Sequence, residues 1–238
     1  MFTNKREVFE SSWHQFQWKV VKNRRMILVL LAIQLFLLLI GSMSTYQMST
    51  GTEFISVELA EYTILSGVMI LSLVLFIMGI TLGSKNELYH STVIASTRTT
   101  HFLSDVLFIA LISVITAALT FATGYLSMTL NLIGIGDDAV LYITNLFHLL
   151  DFLVIMSMYV FIASLGYLAA SLKHTPWVIG VLVLLIVFSV LFNFSLLSPI
   201  IAWIYGTSKV FVLGKTFLLA VVSFILTYLI VKKQEVND

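Results

Sequence analysis

The sequence predicts an all-α integral membrane protein: six transmembrane helices with both termini in the cytosol, preceded by an amphipathic helix at the bilayer surface. Three observations carry that expectation. Hydrophobic residues make up 59% of the chain and charged residues 11%, with a mean hydropathy of +1.03, far from the roughly 25% charge of soluble domains. The apolar residues gather in runs long enough to cross a hydrocarbon core of ~30 Å at 1.5 Å per residue. The basic residues gather on one side of those runs.

Before the first run, Phe9, Trp13, Phe16 and Val20 recur at steps of four, three and four, a helical stripe, while Lys5, Arg6, Glu10 and Lys19 fall on other faces. Residues 5 to 21 therefore read as an interfacial helix. Trp13 and Trp18 suit the headgroup level, and Lys22, Arg24 and Arg25 would sit against anionic cytosolic lipid. The first 25 residues lack the short apolar core and cleavage site of a removable signal peptide.

The predicted spans are 26–48, with Gln34 its one strongly polar interior residue, then 64–83, 106–130, 147–172, 177–197 and 210–231, and residues 232–238 form a cytosolic tail. Glu53, Glu58 and Glu61 mark an acidic loop, and Asn131 to Asn145 a turn-rich one with Gly134, Gly136, Asp137 and Asp138. Gly79 and Gly83 end the second span at a spacing that lets another helix approach closely. Ala110, Ser113, Ala117, Thr120 and Gly124 give the third span a small-residue face that should meet protein. Ser198 to Lys209 is too apolar for an ordinary loop and too short to span, which fits a re-entrant segment.

Orientation follows from counting. With the N-terminus inside, eleven of the thirteen basic residues are cytosolic and only Lys209 and Lys215 are not. The acidic loop residues all fall outside.

Little in the chain suggests chemistry of its own. The five histidines are scattered, with no His-Glu-x-x-His pair to hold zinc, and cysteine is absent. Gly214-Lys215-Thr216 resembles the end of a phosphate-binding loop, but Lys209 occupies the place of its earlier glycine. Neither an enzyme, a resident metal or cofactor, nor a nucleic-acid partner is expected. Asp105, His148, Asp151 and Lys215 lie near span ends, where snorkelling to the interface accounts for them without function.

The exception is Ser84 to Thr100, the one sizeable polar run in the interior of the chain. Glu87, Leu88, Tyr89, His90, Val93 and Ile94 would give a short cytosolic helix with an apolar side able to press into a groove on a soluble partner. The run Glu87-Leu88-Tyr89-x6-Ser96-Thr97-Arg98-Thr99-x2-Phe102-Leu103, with the surface helix and six spans, resembles the permease subunits of ABC-2 type ABC transporters. Members of that family carry at this loop an acidic residue followed by a small-residue, Ser/Thr-Arg and aromatic pattern.

The resemblance implies a separate ATPase chain that binds ATP and Mg, and a second permease subunit, identical or related. Residues 5 to 21 are similar to the family's elbow helix, and Ser198 to Lys209 to its external re-entrant helices. The loop corresponds to a coupling helix, with Glu87, Leu88, Tyr89, Val93, Arg98 and Thr99 facing the ATPase. Permeases this small are similar to bacterial plasma-membrane exporters of amphipathic or antimicrobial peptides, including the modulin-peptide exporters of Gram-positive bacteria. A secondary transporter or channel working without an ATPase, and an intramembrane hydrolase, are the other readings.

Overall fold

The computed structural model describes residues 5–41, 46–52, 55–61, 65–83, 98–134, 149–172 and 208–237. Its helices are α1 (Lys5–Lys22), α2 (Arg24–Gly41), α3 (Leu65–Leu82), α4 (Arg98–Gly134), α5 (Leu149–Ser171) and α6 (Lys209–Asn237). Between α2 and α3 lie two strands, β1 (Tyr46–Thr52) and β2 (Ile55–Glu61). The two prolines, Pro176 and Pro199, both fall outside these helices, so no missing N–H or ring clash interrupts them.

Among the described residues, three helical segments are long and apolar enough to cross a membrane: Thr99–Leu126, Leu149–Ser171 and Lys209–Val231. This is a helical membrane protein. Several interior threonine hydroxyls bond back within the helix: Thr116 Oγ1 donates to the Ile112 carbonyl, Thr120 to Thr116 and Thr123 to Leu119, whereas Ser113 and Ser223 are buried without a partner. That back-bonding removes the need for water.

Side-chain contacts fix the directions of the helices. Lys19 meets Asp105, and Gln34 meets Thr120, both pairs 86 positions apart, so α1–α2 and α4 advance together. Helix α5 runs opposite to α4, because Asp105 meets Tyr167 while Phe121 meets Phe152. Helix α6 runs with α5, because Asp151 meets Lys209 and Ser157 meets Thr216. Helix α3 also runs with α5, Gly79 lying against Ala163 and Gly166, and Gly83 against Tyr167 and Ala170. One end of the bundle therefore holds Lys19, Asp105 and Tyr167, and the other holds Asp151 and Lys209.

The α3–α5 contact is backbone on backbone. A Cβ on Gly79 would overlap the Ala163 carbonyl oxygen, and one on Gly166 would overlap that of Phe76. The close approach anticipated from Gly79 and Gly83 is thus made, and its partner is α5. Beside it the core gathers Leu71, Leu75, Met78, Phe108, Ile112 and Tyr159. On α4 the expected protein-facing residues Ser113, Ala117 and Thr120 are buried, but Ala110 is exposed.

Several boundaries differ from the sequence reading. The first span does not run to Met48: helix α2 stops at Gly41, and Tyr46-Gln47-Met48 begins β1. The acidic loop is instead a hairpin, with Tyr46 opposite Glu61 and Ser49 opposite Glu58. Its cause is legible afterwards, since Ile55, Val57 and Leu59 alternate with Ser56, Glu58 and Ala60 in the period of a strand. The glycine-rich loop starts later than Asn131, which belongs to α4. Helix α6 starts at Lys209 and continues through Lys232 and Lys233 to Asn237.

Candidate functional site

Asp105 lies on α4 two turns beyond Arg98 and is completely buried, so snorkelling does not account for it. An isolated carboxylate there would carry a desolvation penalty of several kcal/mol. Three donors from three helices offset it. The Lys19 ammonium of α1 donates to Oδ1, His101 Nδ1 of α4 donates to Oδ2 over 2.9 Å, and the Tyr167 hydroxyl of α5 donates to Oδ2 over 2.8 Å.

Lys19 is held further by Ser104 Oγ at 2.8 Å and by the His101 carbonyl at 3.4 Å. Ser104 Oγ in turn donates to that same carbonyl over 2.7 Å. The other ring nitrogen of His101, Nε2, is buried with no hydrogen-bond partner.

Helix α1 reaches this site with an unusual face. Ser12, Gln15 and Lys19, with Asn23 just past the end of the helix, fall at steps of three, four and four and are all buried, so this polar stripe points into the protein. Gln15 has no hydrogen-bond partner at either amide atom, and Asn23 none at Nδ2. Of the predicted interfacial stripe, Phe16 and Val20 pack partly against the core, whereas Phe9 and Trp13 are exposed. The 5.1 Å Trp13–Phe16 ring contact bridges the two environments.

An aromatic group adjoins the carboxylate. Phe102 stacks near Tyr167 of α5 at 6.2 Å, and near Phe224 and Tyr228 of α6 at 6.5 and 5.4 Å. The first turns of α4 therefore touch α1, α5 and α6 within five residues of sequence.

Arg98 and Thr99, expected in a short separate helix, form the first turn of α4, and Thr99 is exposed. Glu87, Leu88, Tyr89 and Val93 lie outside the described residues, as do His148, span 177–197 and residues 198–207. The sequence reading missed Lys19, His101 and Tyr167 as partners of Asp105. One signal was present: Lys19 falls four residues after Gln15 and four before Asn23, a polar stripe at helical spacing.

A second polar set sits deeper. Gln34 of α2 accepts from Thr123 Oγ1 at 2.9 Å and lies 3.5 Å from Thr120 Oγ1, which meets the Tyr159 hydroxyl of α5 at 3.0 Å. At the far end Asp151 of α5 pairs with Lys209 of α6 over 2.6 Å, both partly exposed, and half-buried Lys215 lies a turn and a half further along α6. Among the described residues no cluster of three or more His, Asp or Glu side chains is placed to hold a metal ion. Comparison of the chain with protein-family models, with curated proteins and with solved structures finds no match.

Proposed function

We propose that this chain is the permease subunit of an ATP-driven exporter of the ABC-2 type in a bacterial plasma membrane, working with a separate ATPase that binds ATP and Mg and with a second permease subunit. The observation that carries the reading is the buried Asp105 with its donors from α1, α4 and α5. The polar run 84–97 leads into α4 at Arg98, one turn before His101. A push on that run would reach three helices at once through Asp105, and α6 through Phe102.

The reading places the Lys19 end of the bundle in the cytosol, which the basic residues favour. Helices α5 and α6 are consecutive among the described helices yet point the same way. A further crossing at 177–197 accounts for that, giving six spans. Helix α1, keyed to α4 by Lys19, takes the place of the elbow helix. The cargo is an amphipathic or antimicrobial peptide, or another lipophilic compound, entering from the lipid and leaving outward.

The test replaces Glu87, Tyr89 and Arg98 together with alanine. Loss of co-purification with a nucleotide-hydrolysing chain, and of peptide-stimulated ATP hydrolysis in inside-out vesicles, is expected. Unchanged association and export would refute the reading. The neutral network of Gln34, Thr120, Thr123 and Tyr159 favours a second one, an ATPase-independent transporter or channel with polar groups inside the bundle. Transport by the purified chain in liposomes without nucleotide would establish that alternative. The hydrolase reading gains nothing here, since Asp151 is engaged by Lys209.

A further inference from the structure

On the buried polar face of α1, Ser12 Oγ turns back to the Val8 carbonyl of its own helix and Lys19 crosses to α4. Gln15, between them, does neither: both polar atoms of its amide are buried with no hydrogen-bond partner. On α4, Nε2 of His101 is in the same condition. Gln15 is 5% exposed and His101 6%, so bulk water does not reach them. Atoms stranded in this way lose their hydration with nothing in return.

The two residues are level with one another. Helices α1–α2 and α4 advance together at a constant offset, since Lys19 meets Asp105 and Gln34 meets Thr120, each 86 positions on. Gln15 is one turn before Lys19 and His101 one turn before Asp105, so the same offset sets Gln15 against His101. The Lys19 ammonium, 3.4 Å from the His101 carbonyl, draws the helices together at that turn. An amide nitrogen, an amide oxygen and a ring nitrogen thus lie stranded at one level between two helices. Asn23, Ser72, Ser113 and Ser223 each strand one atom, whereas a buried water needs two to four polar partners.

We propose that Gln15 and His101 hold a water molecule between α1 and α4, and that His101 exchanges protons with it. Water and a primary amide each carry both a donor and an acceptor, which suits the site to either state of the ring. A bare Nε2 accepts from the water, which in turn accepts from the Gln15 N–H. A protonated Nε2 donates to the water, which donates to the Gln15 carbonyl. A proton therefore reaches or leaves Nε2 with no group stranded in either state. Across the ring, Nδ1 faces Asp105, whose carboxylate is shared with Lys19 of α1 and Tyr167 of α5. The imidazole stands between that buried ion pair and the water, so the contact that keys α1 to α4 has a route for protons. The site needs no ATPase and stands apart from the exporter reading.

The experiment places the full chain, its histidines enriched in heavy nitrogen, in phosphatidylcholine bilayers. Magic-angle-spinning NMR then follows magnetisation from water protons to the ring nitrogens, with the His101 ring assigned through its backbone resonances. Exposed His14 supplies the reference for contact with bulk water. Transfer from water to His101 Nε2 is expected in the parent protein. It should fall several-fold in Gln15→Leu, which fills a similar volume without hydrogen bonding, while Nδ1 stays bonded to Asp105; Gln15→Met serves if Gln15→Leu does not fold. Absence of transfer in the parent would overturn the proposal. So would undiminished transfer in the variant, which would trace the signal to bulk water, or transfer from the Gln15 amide protons alone, which would assign a direct bond between the two side chains.

Discussion

Lys19 and Asp105, 86 positions apart in sequence, form an ion pair whose side chains are 3% and 1% exposed. A pair so placed is costly to break, because removing one partner strands the other charge away from water. Lys19→Met or Asp105→Leu alone is expected to cost about 3–5 kcal/mol. Lys19→Met with Asp105→Leu should recover much of that loss, as measured by thermal unfolding in mild detergent. Additive losses in the double variant would show that the two charges do not stabilise one another.

At the other end, Asp151 and Lys209 provide a contrast. Their side chains are 23% and 57% exposed, so water already solvates them and geometry adds little. Lys209→Gln should cost no more than about 1 kcal/mol, and the pair's contribution should fall as salt is raised. A loss as large as that from Lys19→Met would contradict this description.

The α3–α5 crossing predicts an asymmetry among glycines. Gly79→Ala and Gly166→Ala each place a methyl group on backbone atoms of the facing helix, at an expected cost of about 1–3 kcal/mol. Gly214, on α6, has nothing within 4 Å of its Cβ direction. Gly214→Ala should be neutral or stabilise by about 0.5–1 kcal/mol, the helix-interior penalty of glycine. Urea or detergent denaturation of the three variants would separate these outcomes.

For the deeper network, hydrogen bonds between membrane helices average about 0.6 kcal/mol. Tyr159→Phe and Gln34→Leu should each be mild. Their double-mutant cycle should report coupling through Thr120, which receives both side chains. A coupling energy of zero would mean that α2 and α5 do not communicate through that hydroxyl.

Tyr167 holds Asp105 from the α5 side. Tyr167→Phe keeps its ring against Phe102 and removes only the hydroxyl, with an expected loss of about 1.5–3 kcal/mol for a bond to a charged group. The same change should be close to silent in the Lys19→Met/Asp105→Leu background, where no carboxylate remains to receive the bond.

Much of this molecule was determined by the order of its residues. Runs of apolar side chains without proline can satisfy their backbone inside a hydrocarbon layer only as helices, so the extents of α3 and α5, and the bulk of α4 and α6, follow from hydropathy alone. The glycine pair at 79 and 83 announced a close contact for the same reason, since only hydrogen leaves room for a facing backbone. What the order of residues did not decide was which partner each exception would find. Asp105 and Lys19 are ordinary end-of-span charges until α1 is laid beside α4, because a pairing across 86 residues leaves no periodicity to read. The hairpin at 46–61 was hidden differently: its two-residue alternation adjoins a long apolar run, and strand pairing rather than local preference selected it. Tertiary contact turned scattered polar residues into a buried four-residue set, and it did so because burial in an apolar bundle makes an unpaired charge far more costly than an ordered partner.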